Sequence, residues 1–300
     1  MRIFTRMAGI LGLTVVTALT LFVAPASASP VPPVASTSLI GTWVNTNAAS
    51  KSVKQIIIQQ GRGGTVLVDA FGSCSPSLCE WGRVTGTVYG TSVSSTTGAS
   101  FQTNQRFLSG GTEWSRTQLF GTVSRTSTGA LRLTVREFTA FVDKSGRKNY
   151  TVTETFALGK AKQGVTKSGS AVTSYVLGDR PALNGGAFGT WVPSGSSTNL
   201  AKVVIGGTAA APAVHAYGSC TPTPCDMGTV RGITHGATIS TLRGTTVLAP
   251  YTFSFKKSQL LIKYTISASD VETLTVVSYN EFTDGSGRSN YTVTQKLVRA

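Results

Sequence analysis

Residues 131–153 read LRLTVREFTAFVDKSGRKNYTVT. Leu131, Leu133 and Val135 alternate with Arg132, Thr134 and Arg136, the period of a strand with one buried face. Asp143-x-Ser145-Gly146 then supplies turn chemistry: the Asp accepts turn amides and the Gly takes positive φ. Tyr150 opens the returning strand. The turn and its flanks come back at residues 282–294, FTDGSGRSNYTVT, against FVDKSGRKNYTVT at 141–153. Two further motifs recur in the same order. GTWV at 41–44 returns at 189–192, and GSCSPSLCE at 72–80 returns as GSCTPTPCD at 218–226. The offsets are 148, 146 and 141, so the copies differ by small loop deletions. A repeat of this kind implies two domains, 41–158 and 189–300, joined by a linker at 159–188.

Period-two alternation dominates both copies; in the second, Tyr251, Phe253 and Phe255 alternate with Thr252 and Ser254. In the first copy it predicts eight strands, near 41–45, 53–60, 65–72, 83–89, 100–108, 114–124, 130–141 and 149–158. The expected class is all-β: two tandem antiparallel up-and-down β-barrels, with β-sandwiches as the alternative. In an up-and-down barrel successive turns alternate between the two ends. The Cys loop joins strands three and four and the Asp-x-Ser-Gly-Arg hairpin joins seven and eight, so both fall on one rim.

The 300 residues contain 27 Lys+Arg, 12 Asp+Glu, 33 Gly and four Cys, with 13% charged and 40% hydrophobic. That balance argues against disorder, collagen, coiled coil and a multi-span membrane protein. Residues 1–28 read as a secretory signal peptide: Arg2 and Arg6, an apolar stretch over 10–23, and a small-residue cleavage site at Ala26-Ser27-Ala28. A Pro/Ser/Thr tether follows at 29–40, and no transmembrane segment is expected in the mature chain, which would be secreted. Loss of the two leader arginines leaves 25 basic and 12 acidic residues, a net +13.

A Gly-x-Trp opening strand one of an eight-stranded barrel resembles the calycin superfamily of lipocalins, fatty-acid-binding proteins and avidins. In lipocalins a late basic residue packs over that Trp; Arg299 stands at this place in the second copy and Leu158 in the first. The lipocalin Thr-Asp-Tyr motif is missing, and beyond Gly-Thr-Trp and Asn45 no avidin pocket residue carries over. The whole unit also resembles a repeat of secreted bacterial proteins, Gly-Thr-Trp-Val, Cys-x-Pro-x-x-Cys-Asp and Asp-x-Ser-Gly-Arg-Ser-Asn-Tyr, to which no activity attaches.

Repetition selects Cys74–Cys79 and Cys220–Cys225 among the three possible pairings, and export favours oxidation. Glu80 and Trp81 follow the second Cys of the first copy, Asp226 and Met227 that of the second. These acids either hold a polar or sugar ligand at the rim or cap the loop. Asp143, Arg147 and Tyr150, with Asp284, Arg288 and Tyr291, divide in the same way. The arginines are not required by the turn, so they either bind an anion or pair with Glu80 and Asp226 across the mouth. Glu154 and Gln295 each interrupt an apolar face of the last strand. Trp43 and Trp191 read as barrel-floor packing.

The histidines, His215 and His235, fall in the second copy, opposite Asp69 and Tyr89 of the first. Gly-x-Ser-x-Gly, His-Glu-x-x-His and P-loop motifs are missing, and no catalytic residue, metal or cofactor is expected. The leading expectation is a non-catalytic binding protein with one rim site per domain for a small or carbohydrate-like ligand. A second is a basic surface protein adhering to anionic cell-wall polymers; no stacking motif accompanies the charge, which disfavours nucleic acid. A third is a small hydrolase using Glu80/Asp143 or Asp226/Asp284 as an acid–base pair.

Overall fold

The computed structural model describes residues 34–35, 37–160, 164–167, 169–171, 176–196 and 199–300. The expected signal peptide lies outside the described residues, as does the first part of the tether.

The first barrel is built from β1 (Gly41–Asn45), β2 (Val53–Gln60), β3 (Val66–Gly72), β4 (Leu78–Tyr89), β5 (Ser100–Ser109), β6 (Thr112–Arg125), β7 (Leu131–Phe141) and β8 (Tyr150–Leu158). Each strand is antiparallel to the next, β8 returns to β1, and Thr87–Tyr89 of β4 pairs with Ser100–Gln102 of β5, so the sheet closes. A sandwich is thereby excluded. Alternate residues meet in the lumen, among them Ile56, Val68, Phe101, Leu119, Leu133 and Phe156. Gly121 leaves room for the Phe101 ring, which a Cβ would meet at 2.1 Å.

The second barrel repeats the order with β9 (Gly189–Pro193), β10 (Leu200–Thr208), β11 (Ala211–Gly218), β12 (Cys225–Arg231), β13 (Ile233–His235), β14 (Thr246–Thr252), β15 (Lys256–Ile266), β16 (Glu272–Phe282) and β17 (Tyr291–Arg299). Its fourth strand is broken at Gly232: β12 pairs with β11, β13 pairs with β14, and the cylinder is nearly rather than fully closed. Trp43 and Trp191 are fully buried, and each indole N–H donates to the carbonyl four residues earlier, Leu39 at 3.1 Å and Ala187 at 3.0 Å. Arg299 lies 4.6 Å over the Trp191 ring and donates to the Phe188 and Gly186 carbonyls, as the lipocalin likeness implies for the second copy.

Strand four begins earlier than the alternation predicts, at Leu78 rather than near 83. The disulfide Cys74–Cys79 holds the two Cα atoms 5.5 Å apart, which sets Gly72 opposite Cys79 and Phe71 opposite Glu80. Above Thr87 the strands β4 and β5 diverge, and linker backbone enters the gap. Gly164–Lys167 runs parallel to Leu78–Glu80, and Gly169–Ala171 antiparallel to Gln105–Phe107.

The barrels pack outer face to outer face with pseudo-two-fold symmetry. Gly90 exchanges backbone hydrogen bonds with Asn290 and Thr292, and its counterpart Gly236 does so with Asn149 and Thr151. Tyr89 meets Tyr279 edge-on at 5.1 Å, and the equivalent pair, His235 and Phe138, also meets edge-on at 5.1 Å. Phe120, Leu248, Leu261 and Val277 fill the space between. A glutamine chain, Gln102 to Gln259 to Gln118, crosses it through 3.0 Å bonds.

Candidate functional site

Because both barrels are up-and-down, the Cys loop and the seven–eight hairpin share one rim in each. The hairpins are internally tied. Asp143 accepts from Ser145 N at 3.1 Å and from Arg147 Nη2 at 2.5 Å, while Arg147 Nε donates to Ser145 Oγ at 2.8 Å. Asp284, Ser286 and Arg288 repeat this with 3.1, 2.6 and 2.7 Å. Ser145, ahead of Arg147, lowers the Asp143 carboxyl to about 2, and the same contacts lower Asp284. The arginines therefore close their own hairpins instead of reaching Glu80 and Asp226. Each also covers aromatic rings: Arg147 lies 4.1 Å from Phe141, and Arg288 lies 4.0 Å from Phe282.

Glu80 and Trp81 are strand residues, placed there by the early start of β4. Trp81 turns inward over Gly72, where a Cβ would meet its Nε1 at 2.5 Å. From Trp81 the rings touch in sequence across the first mouth: Phe107 at 5.1 Å, then Trp114 at 5.6 Å, Phe141 at 6.2 Å and Tyr150 at 6.0 Å. Beneath them Glu137 is buried in the lumen, accepting from Ser52 Oγ, from Thr139 Oγ1 at 3.1 Å and from Tyr150 Oη at 3.1 Å. Burial pushes its carboxyl up, against those three donors. Glu154 accepts from Ser50 Oγ at 2.5 Å.

The second mouth is different. Met227 stands where the first barrel has Trp81, and the β14–β15 hairpin is five residues shorter than β5–β6. A Cβ on Gly218, the counterpart of Gly72, would find its nearest neighbour 3.8 Å away. The vacated space is a cavity of about 370 Å³ whose wall includes Asn199, Met227, Phe253, Phe255, Lys256 and Asn280, with the Cys220–Cys225 disulfide and Tyr291 at its edge. In the place of Glu137 is Ser278, which bonds Asn199 Nδ2 at 2.9 Å; Gln295, in the place of Glu154, accepts from Asn199 Nδ2 at 3.1 Å and from Leu200 N at 3.0 Å.

Asn280 is 2% exposed. Its Oδ1 accepts from Ser258 Oγ at 2.7 Å and Lys256 Nζ at 3.5 Å, whereas its Nδ2 has no partner. Lys256 is half-buried, its Nζ 5.6 Å from the Phe253 ring and 5.8 Å from Phe255. Desolvation, and secondarily Arg288, lowers its pKa. No ion pair among the described residues involves it.

Asp226 borders this cavity, but its carboxylate is spent elsewhere. It accepts from Gly228 N at 2.7 Å and bonds His215 Nε2 at 2.6 Å, and the Gly228 amide, ahead of His215, lowers its pKa. Of the residues singled out from sequence, the structure brings Tyr291 and the disulfide to the second mouth, and Trp81, Arg147 and Tyr150 to the first. It does not bring Glu80 to Asp143 or Asp226 to Asp284 as bonded pairs. Sequence reasoning missed Lys256, Asn280, Asn199 and Glu137. Glu137 was detectable as an acid continuing the apolar series Leu131, Leu133 and Val135. Lys256 depends on the hairpin deletion, and no local pattern marks it.

No family model and no curated protein matches the sequence. Among solved structures, a protein of unknown function from the DUF3598 family of Nostoc punctiforme is similar at 12% identity, covering 88% of this chain and 97% of its own, with a TM-score of 0.26. That score is too low to carry an argument. What stands on this chain's own geometry is a disulfide-clipped, all-β protein with one closed and one nearly closed barrel.

Proposed function

We propose that this chain is a non-catalytic, small-ligand-binding protein with a single site, in the mouth of the second barrel. The reading replaces one site per domain with one per chain. The observation that carries it is the buried Asn280 Nδ2, left without an acceptor on the wall of a cavity of about 370 Å³. Other buried polar atoms also lack a partner, Thr103 Oγ1 and Ser115 Oγ of the first barrel among them, but Asn280 Nδ2 is the one on the wall of this cavity, and an orphan donor costs roughly 1–3 kcal/mol unless something fills the gap. The cavity lies within the size range of small-molecule sites and combines apolar walls with a few polar groups, as such sites do. The disulfides fit an exported protein, in line with the leader read over 1–28. Native mass spectrometry of the protein purified without denaturation tests the site. A retained small-molecule adduct is expected, and Met227→Trp, which restores the ring of the first mouth, removes it. Adduct loads equal in the wild type and the variant would place the ligand elsewhere.

A second reading, adhesion to anionic wall polymers, draws support from the seam between the barrels. A cleft of about 520 Å³ there is lined by Arg136 of the first barrel and Lys263 of the second, with Thr134, Thr151, Thr153 and Thr246. Val277 and Thr122 occupy the pseudo-symmetric positions, so the two cations belong to one side of the interface. Attachment that weakens with salt and with Arg136→Ala/Lys263→Ala would support it.

A further inference from the structure

We propose that the ligand of the second mouth is an organic anion: a monocarboxylate whose head group lies between Lys256 Nζ and Asn280 Nδ2 and whose apolar body lies against Phe253, Phe255 and Met227. The inference rests on the single-site reading and adds the chemical class.

Donor and acceptor accounting decides the sign of the head group. Three acceptors near the cavity floor are already engaged. Asn280 Oδ1 takes Ser258 and Lys256, Gln295 Oε1 takes Asn199 and Leu200, and Ser278 Oγ bonds Asn199. The donors are in excess. Asn280 Nδ2 has no acceptor, and Lys256, with three N–H bonds, makes one contact as long as 3.5 Å. A head group of donors alone would leave Asn280 Nδ2 and Lys256 Nζ unmatched, whereas a carboxylate offers both an acceptor oxygen and a counter-charge.

Comparison with the first barrel gives the same answer. Lys256 occupies the place of Ser115, and Ser278 and Gln295 occupy the places of Glu137 and Glu154. The lumen beneath one rim thus carries two acids and no cation, while the lumen beneath the other carries a cation and no acid. A lysine half-buried without a carboxylate is costly by itself, because desolvation disfavours its charged form. An anionic ligand offsets that cost in the bound state. The phenyl rings beside Nζ and the thioether of Met227 then supply the apolar wall, Met adapting to ligands of different outline.

The test uses matched probes that share a body and differ in the head: octanoate against 1-octanol, and 3-phenylpropionate against 3-phenylpropanol. Calorimetric titration into the full mature chain is expected to show the acids binding about tenfold or more tighter than the alcohols, the range of one charge-assisted contact. Lys256→Met and Lys256→Gln should bring the acids down to the level of the alcohols measured in the same variant. Met227→Trp should abolish both. Equal binding of acids and alcohols, unmoved by either lysine variant but lost in Met227→Trp, would overturn the anionic class and leave the site standing. Binding of neither series, or binding that survives Met227→Trp, would overturn the site itself.

Discussion

Around the first mouth, Trp81 lies over Gly72 and begins a run of five touching rings, with Arg147 on top and Glu137 below. Around the second, Met227 leaves Gly218 uncovered, the neighbouring hairpin is five residues shorter, and Lys256 with Asn280 faces the vacated space. The strands beneath are the same strands, and the hairpin clamps agree to within 0.1 Å in each hydrogen bond. Conserving the cylinder and the rim turns between copies while changing one ring, one loop length and the luminal side chains gives one mouth crossed by touching rings and another that holds a cavity. The proposed site is therefore located by difference between the repeats, while the most repeated side chains, the hairpin Asp and Arg, bond within their own turns.

The largest effect separating the mouths is a packing loss. Phe107 is 5% exposed, and Phe107→Ala should cost about 3–5 kcal/mol, the usual range for a buried phenyl. Its counterpart Phe253 is only partly buried and borders the cavity, so Phe253→Ala should cost less than the Phe107 change. Urea midpoints of the full chain measure both. Equal losses would mean the second mouth is packed as tightly as the first, and the comparison would collapse.

Next in size is the interface. His235 is 2% exposed, edge-on to Phe138, and burial lowers its pKa to about 4 in spite of a 3.0 Å contact with the Ile233 carbonyl. The unfolded chain takes up a proton near pH 6.5, before the native state does. Stability is therefore fully present above that pH and falls as the pH drops toward 4, by about 3 kcal/mol. His235→Phe, which keeps a ring against Phe138 and cannot take up a proton, should flatten the acid limb of the stability profile. An unchanged acid limb would show that the imidazole is solvated and the seam looser than its geometry.

Strand periods and turn chemistry made most of this architecture legible. The spans expected at 41–45 and 53–60 coincide with β1 and β2, and most of the other first-copy spans differ by one or two residues at an end. The error at β4 has a local cause: the Cys-Glu-Trp stretch is not alternating, and only the cross-strand register with Phe71 and Gly72 makes it sheet. The disulfides followed from repetition. The mouths did not, because whether a lumen is filled depends on which rings from five strands meet at one level. That is a property of register and hairpin length that neither copy displays alone. Arg147 and Arg288 form ion pairs, but with Asp143 and Asp284 four residues back in their own hairpins and not with Glu80 and Asp226 across the mouth, because an Asp that accepts a turn amide through one oxygen still has the other for a guanidinium.

The disulfides come third. Closing so small a loop contributes about 2 kcal/mol in the chain-entropy account, and the double serine variants Cys74→Ser/Cys79→Ser and Cys220→Ser/Cys225→Ser should lose about that much each. They should part company in amide exchange. Leu78–Glu80 of β4 keeps a neighbour in Gly164–Lys167, whereas β12 pairs on one side with β11. Faster exchange spreading along Cys225–Arg231, without its equal in β4, is the expected pattern; matching exchange in the two strands would show that the linker gives β4 no support.

The subtlest contrast concerns charge inside the closed barrel. Burial raises the Glu137 carboxyl, so between the ordinary carboxylate range and its higher folded value the native state keeps a proton that the unfolded chain has released. Stability must then fall as pH rises through that window. Glu137→Gln keeps the shape and an acceptor oxygen for Thr139 and Tyr150, turns an N–H toward Ser52 Oγ and does not titrate, and the second barrel already holds the uncharged Ser278 at this position. The variant should therefore gain on the wild type as the pH is raised from 4 to 8. If the difference between the two proteins stayed level over that range, Glu137 would be ionised with no burial cost. The first lumen would then be wet, and the contrast of a sealed barrel with an open one would lose its physical basis.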